Sequence, residues 1–210
     1  MRIAIFGATG GTGKNVVDRV LSTGHDAVAA ARRPEAVAPR DHLEVRKADV
    51  LDAASLEGAL VGVDAVICVI GPASNSKPGT LISEGTKNLV AACEKAGVRR
   101  FVFESGMIMS DGSELTFLGR SAVSLFGMIF PKLKADKFLA EATITASGLD
   151  WVIVRPPALD HSAATGKFVA GPKVAVMAAK SLSHADCAEA LVRAATEPDW
   201  VKQVVNLGWP

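Results

Sequence analysis

The chain has 210 residues, 49% of them hydrophobic and 21% charged, with a formal net charge of +1. That length and apolar content fill one good core and leave no room for a separate substrate domain, so residues 1–210 are expected to form a single unit with a small substrate-side portion at the C-terminal end. Lys and Arg are dispersed, which excludes an electrostatic footprint for nucleic acid or an anionic membrane; with no signal-type segment after Met1-Arg2 and no bilayer-length apolar run, a cytoplasmic protein acting on a small molecule is expected.

The first strand is predicted at Arg2–Phe6, and it runs directly into Gly7-Ala8-Thr9-Gly10-Gly11-Thr12-Gly13 and an amphipathic helix from Lys14 to Leu21. Strand, glycine turn and helix in that order read as a dinucleotide-binding turn, in which free backbone N–H groups and the positive end of the helix dipole face a pyrophosphate. Glycine serves the sharp turn, the approach of the phosphates and the close packing of helix on strand, so Gly7, Thr9, Gly10, Gly11, Thr12 and Gly13 are candidate cofactor-binding residues. A second strand, Ala27–Ala31, ends at Arg32-Arg33. An NAD site places an acid there for the ribose 2′-hydroxyl, whereas two guanidinium forks suit a 2′-phosphate, so NADP(H) is favoured over NAD(H).

A third strand at Leu43–Lys47 leads to Asp49-Val50, expected to border the adenine, and to a helix over Ala53–Leu60 capped by Asp52. The fourth strand, Asp64–Ile70, leaves Ile70-Gly71-Pro72 as a small-residue edge along the nucleotide. Beyond it come a helix over Thr80–Lys95 ended by Gly97, a strand at Arg100–Phe103, a helix over Lys134–Ala146 ended by Gly148, and a strand at Trp151–Val154. A helix over Ala185–Thr196 behind a Ser183-x-x-Asp186 cap and a strand at Gln203–Leu207 complete the series. Repeated βαβ units with right-handed crossovers give an α/β fold, a doubly wound parallel sheet of about seven strands in the Rossmann manner, ordered 3-2-1-4-5-6-7, with the ligand crevice at the carboxyl ends of strands 1 and 4. Cys68, Cys93 and Cys187 are odd in number and lack Cys-x-x-Cys spacing; they read as reduced, buried thiols, and no metal site is expected.

Seven segments together carry a resemblance: the glycine turn, Ala48-Asp49-Val50-Leu51-Asp52, Asp64-Ala65-Val66-Ile67, Ser83-Glu84-Gly85-Thr86-Lys87-Asn88-Leu89-Val90, Ala96-Gly97-Val98, Ser147-Gly148-Leu149-Asp150 and Arg155-Pro156-Pro157. Through them the chain resembles the single-domain NAD(P)H-binding atypical short-chain dehydrogenases/reductases, in particular the biliverdin-IXβ reductase/flavin reductase group and its NmrA-like relatives. The resemblance implies an active-site serine at the end of strand five, Ser105, and a cofactor contact at Pro156. Alcohol-acting members of the lineage carry Tyr-x-x-x-Lys, but this sequence has no tyrosine, and the residue four before Lys137 is Leu133. Carbonyl reduction by a tyrosine acid is therefore excluded. Lys137 either binds the nicotinamide ribose or is an exposed helical lysine facing Glu141. The biliverdin and flavin reductases carry a histidine after their Pro-Pro pair; Ala158 stands there, and His161 substitutes only if its loop bends inward. Glu104 reads as a strand-end surface carboxylate, with a raised pKa if it faces the cleft instead.

Ser105 and Lys137 are thus the candidate catalytic residues. The apolar run from Leu115 to Phe130, with Phe117, Leu118, Val123, Leu125, Phe126, Met128, Ile129 and Phe130, is read either as a core helix or as a hydrophobic lid or oligomer contact. The expected function is an NADPH-dependent reductase of a flavin, quinone or similar conjugated apolar acceptor, whose delocalised product takes its proton from water. The alternative is a non-catalytic NADPH-binding redox sensor. Either is expected as a monomer or small homo-oligomer.

Overall fold

A computed structural model of the chain describes all residues except 73, 76–78, 111, 113, 114 and 116, with backbone alone for 117–120 and 122. In chain order the elements are β1 (Arg2–Phe6), α1 (Gly11–Ser22), β2 (Asp26–Ala31), β3 (Leu43–Lys47), α2 (Ala53–Ala59), β4 (Ala65–Cys68), α3 (Leu81–Ala96), β5 (Arg100–Glu104), α4 (Phe117–Ile129), α5 (Pro131–Ala146), β6 (Asp150–Arg155), β7 (Leu159–Asp160), β8 (Val169–Gly171), β9 (Leu182–Ser183), α6 (His184–Thr196) and β10 (Gln203–Gly208).

The main sheet has eight strands in the order β3-β2-β1-β4-β5-β6-β10-β8, parallel throughout except for β8, which runs antiparallel to β10 at the edge. Up to β10 this is the expected order, and β8 is an addition to it. Strands covered on both faces have no polar side to show, which is why β1, β2 and β4 are apolar without alternation. One face packs on α1 and α6 through Ile3, Ile5, Val16, Val20, Val102 and Leu191. The other packs on α2, α3 and α5 through Phe6, Leu56, Leu89, Phe101, Phe103 and Ile144. Truncating a fully buried phenylalanine such as Phe101 to alanine costs about 3 to 5 kcal/mol, so either face alone is indispensable to a marginally stable fold.

Helix starts follow the expected caps in two cases: Asp52 Oδ1 accepts the Ala54 N–H at 3.2 Å, and Ser183 Oγ accepts that of Asp186 at 2.9 Å. Thr80 does not cap α3. Instead the buried Asp136 of α5 accepts the N–H groups of Ile82 and Ser83, each at 3.0 Å, tying two helices together. Asp186 has a second task, accepting the N–H of Gly166 at 2.9 Å and of Thr165 at 3.0 Å, and so holds the loop after β7. The strand expected to run to Ile70 ends at Cys68, although Val69 N–H still reaches the Phe6 carbonyl at 2.9 Å. Cys68, Cys93 and Cys187 are free and buried; burial pushes the first two thiols up to about 12 and the third well above its ordinary value. Among the described residues no helix is long and apolar enough to cross a membrane.

Candidate active site

The glycine turn is built by close approach. Gly7 leaves β1 at φ +94, and a Cβ there would lie 2.7 Å from the Val69 carbonyl oxygen, so a side chain is excluded by both backbone conformation and space. Gly13 packs on the turn so closely that a Cβ would stand 2.0 Å from the Gly7 carbonyl oxygen. No side chain caps α1 at Gly10 and no acid sits in its first turn, so its leading N–H groups and positive dipole end stay available to an anion.

Two linked clefts open at the carboxyl ends of the strands. The larger, about 720 Å³, runs from Gly10, Gly11 and Thr12 past Ile70, Gly71 and Pro72 to Ser105, Lys137 and Pro156, and is walled by Met107, Ile108, Val123 and Phe126. The smaller, about 180 Å³, holds Gly7, Thr9, Arg32, Asp49 and Val50; Gly10, Ile70 and Gly71 line both. Of the sequence-predicted residues, Gly13 lies behind the turn, and Arg33 is exposed and opens the short turn at Pro34–Ala36; neither lines a cleft. The apolar run proves to be divided: Leu115 is buried, Val123 and Phe126 face the larger cleft, and Leu125, Met128 and Ile129 are exposed. The side chains of Phe117 and Leu118 lie outside the described residues.

Around the junction of β5 with the cleft the polar groups converge. Ser105 donates its N–H to the Val154 carbonyl at 2.8 Å, and its buried hydroxyl has no partner among the described residues. Lys137 Nζ donates to the Ser105 carbonyl at 2.6 Å. Burial lowers the pKa of Lys137 against the opposing pull of Glu104 and Glu141. Lys137 is thus no exposed lysine paired with Glu141: that carboxylate takes a bidentate bond from Arg155, at 3.2 and 2.6 Å. Glu104 is likewise not a surface carboxylate. Burial pushes its pKa up to about 7, against the lowering effect of Lys137 and of a 3.4 Å hydrogen bond from Thr12.

His184 went unread in the sequence. The Ser183 cap marked the start of its helix, but nothing local indicates that the first residue of that helix turns toward Gly11, where a Cβ would meet His184 Nε2 at 2.7 Å. Burial lowers its pKa, His161 adding to that effect and Asp160 opposing it. His161 itself is exposed, its ring centroid 4.8 Å from that of His184, so its loop does not place it in the cleft. Among the described residues no group of three His, Cys, Asp or Glu is placed to hold a metal ion.

A cradle that excludes side chains, an uncapped helix start, and a second pocket edged by an arginine suit a dinucleotide, and known proteins agree. The chain is 31% identical, over 98% of its length, to an uncharacterized chloroplastic protein of Arabidopsis thaliana, of which it covers 76%. The solved oxidoreductase ylbE of Lactococcus lactis superposes with a TM-score of 0.82 at 25% identity, covering 100% of this chain and 91% of that one. ChuY, an anaerobillin reductase of Escherichia coli O157:H7, gives 0.79 at 25% identity, covering 100% of this chain and 98% of that one. Residues 7–198 match the family described as NAD(P)H-binding, and the chain belongs to that family.

Proposed function

We propose that the protein is a cytoplasmic NADPH-dependent reductase that passes hydride to a flat conjugated acceptor such as a flavin or quinone, residues 1–210 acting as one unit, alone or in a small homo-oligomer. The observation that carries this reading is the continuity of the larger cleft: one space of about 720 Å³ joins the glycine turn to Ser105 and then to the apolar walls of Met107, Ile108, Val123 and Phe126. A space of that size and lining suits a nicotinamide with a second ring system stacked on it. The likeness to a protein named an anaerobillin reductase favours the same class of acceptor.

When bound, the nicotinamide supplies the hydride. The residues that line the two clefts would position it against the acceptor. Gly7, Gly10 and Gly11 would admit the pyrophosphate to the start of α1, Thr9, Asp49 and Val50 would border the adenosine, and Arg32 would meet the 2′-phosphate, with Arg33 as a more distant positive charge. Ile70, Gly71, Pro72 and Pro156 would flank the nicotinamide half. The free Ser105 hydroxyl would hydrogen-bond the carboxamide or the acceptor, and Lys137, braced on the Ser105 carbonyl, would reach the ribose. Stopped-flow oxidation of NADPH with FMN, riboflavin, quinones and linear tetrapyrroles tests the reading. Repeated turnover with at least one acceptor is expected. Tight NADPH binding without turnover across the panel would replace it with a nucleotide-sensing role.

A further inference from the structure

Reducing a conjugated acceptor consumes a proton as well as a hydride, and the cleft contains a group able to give one. Glu104 ends β5 on the face that Val102 turns toward α1 and α6, and it lines the larger cleft beside Ser105. Its Oε2 is buried with no hydrogen-bond partner among the described residues. Its Oε1 accepts the Thr12 hydroxyl at 3.4 Å, and that hydroxyl lies 2.9 Å from His184 Nδ1. A buried carboxyl oxygen on a cleft-lining residue, unused by the fold, is a group left for a ligand to satisfy.

We propose that Glu104 is the proton donor of the site, its carboxyl proton passing from Oε2 to the acceptor as hydride arrives, with Thr12 and His184 returning a proton from solvent. The inference rests on the reductase reading above. The two electrons come with the hydride; the conjugated heteroatom of the acceptor gains the proton as the Glu104 O–H bond breaks, leaving a carboxylate. The Thr12 hydroxyl then gives its proton to Oε1 and takes the Nδ1 proton of His184, whose ring has gained one from water at Nε2; rotation of the carboxyl about its Cγ–Cδ bond exchanges the two oxygens and returns the proton to the donor position, and exchange with water restores the starting tautomer of His184. Thr12 and His184 act through Glu104 and are positioning residues.

Thr12 from α1 bonds Glu104 and in turn meets His184 of α6; the charge of Lys137 from α5 acts on Glu104, and Glu104 acts on the thiols of Cys68 from β4 and Cys187 from α6. Burial prevails over the Lys137 charge and the Thr12 bond and brings the carboxyl to about 7, where an acid is both populated at neutral pH and able to release its proton.

Glu104→Gln keeps the shape and the Thr12 contact but has no acid proton. In single turnovers with NADPH and an acceptor the native protein reduces, the native rate falls as pH rises past neutrality, and Glu104→Gln is about 100-fold slower or more at pH 7, with that limb gone. Its NADPH affinity stays within about threefold, since no nucleotide contact is removed. Glu104→Asp keeps a titrating limb at reduced rate. Infrared spectra of the nucleotide-free protein supply a readout independent of turnover: a protonated carboxyl band that fades above about pH 7 and is missing in Glu104→Gln. Native turnover with an unimpaired Glu104→Gln, or no such band, overturns the donor role alone. A native protein that reduces no acceptor overturns the reductase reading, and the donor role with it.

Discussion

Thr12 Oγ1 lies 2.9 Å from His184 Nδ1, so two residues 172 positions apart join the first turn of α1 to the first residue of α6 at the rim of the glycine turn. The same ring fills the space beside Gly11. Gly11→Ala should therefore displace His184, and because a side chain can swing aside where backbone cannot, the loss is the Thr12 bond, about 1 kcal/mol. In a His184→Ala background the substitution should cost almost nothing. Thermal denaturation of the four proteins checks this; equal penalties in both backgrounds would show that the ring is not the obstacle.

Gly10 and Gly13 should fail in different ways. A Cβ at Gly10 meets only the Gly7 carbonyl oxygen, at 3.3 Å, so Gly10→Val should keep the circular dichroism of the native fold and lose nucleotide binding, its side chain obstructing the pyrophosphate. At Gly13 the same oxygen would be 2.0 Å away and is backbone, so Gly13→Ala should lose stability by several kcal/mol, about the cost of severe overpacking or more. Retained binding in Gly10→Val would move the nucleotide elsewhere.

The two arginines after β2 are unequal. Arg32 lines the smaller cleft with Asp49 and Val50, while Arg33 is exposed outside it. Arg32→Ala should weaken NADPH by about 1.5 to 3 kcal/mol, the worth of a charge-assisted hydrogen bond, reduced at high salt because the side chain is exposed, and leave NADH unchanged. Arg33→Ala should do much less. Fluorescence titration of both nucleotides decides it, and equal affinities of the native protein for NADPH and NADH would end the 2′-phosphate assignment.

Elements with a strong period or an apolar run were legible: β1 and β3 match their expected bounds, and the sheet order follows from the βαβ alternation. β7 and β9 have two residues each, too short for any alternation to show, and β8 is an antiparallel edge that the crossover rule does not address. The glycine turn was legible because its chemistry is local to thirteen residues of chain. His184 was not, and Glu104 was legible only as two open readings, a surface carboxylate or one turned to the cleft. Whether a strand-end carboxylate is exposed depends on what α1 and α6 place over it, and that is decided by packing between residues far apart in sequence.

Glu104 should also mark the pH dependence of folding. Its folded pKa of about 7 stands above the value of about 4.3 in an unfolded chain, so the folded state binds the proton more tightly; the resulting stability is complete below about pH 4 and lost as pH rises through 7. Glu104→Gln removes that loss, and its melting temperature should gain on the native one more at pH 8 than at pH 5, by several degrees. Lys137 keeps its bond to the Ser105 carbonyl but loses the nearby Glu104 charge, which subtracts from the gain at pH 8. A difference that is flat or reversed between the two pH values would contradict the buried assignment.

Asp186 has the opposite sign. Burial alone would raise its pKa, but the Gly166 and Thr165 N–H groups and the Ser183 hydroxyl prevail and hold it below the ordinary range. Its contribution is fully present above about pH 4 and lost as pH falls through the depressed folded value. Asp186→Ala strands those donors and should cost about 3 kcal/mol in urea denaturation at pH 7, with a smaller deficit at pH 3. Equal deficits at the two pH values would show that the carboxylate charge is not what holds the loop.

The depth of the three cysteines bears on what the protein can survive. Burial pushes the Cys68 and Cys93 thiols up to about 12 and Cys187 the same way, so all three stay protonated at pH 7. Electrophiles that arylate or alkylate sulfur, quinones among them, meet no competent nucleophile in any of these side chains. Chemical resistance to such compounds is thus a by-product of packing sulfur against the sheet.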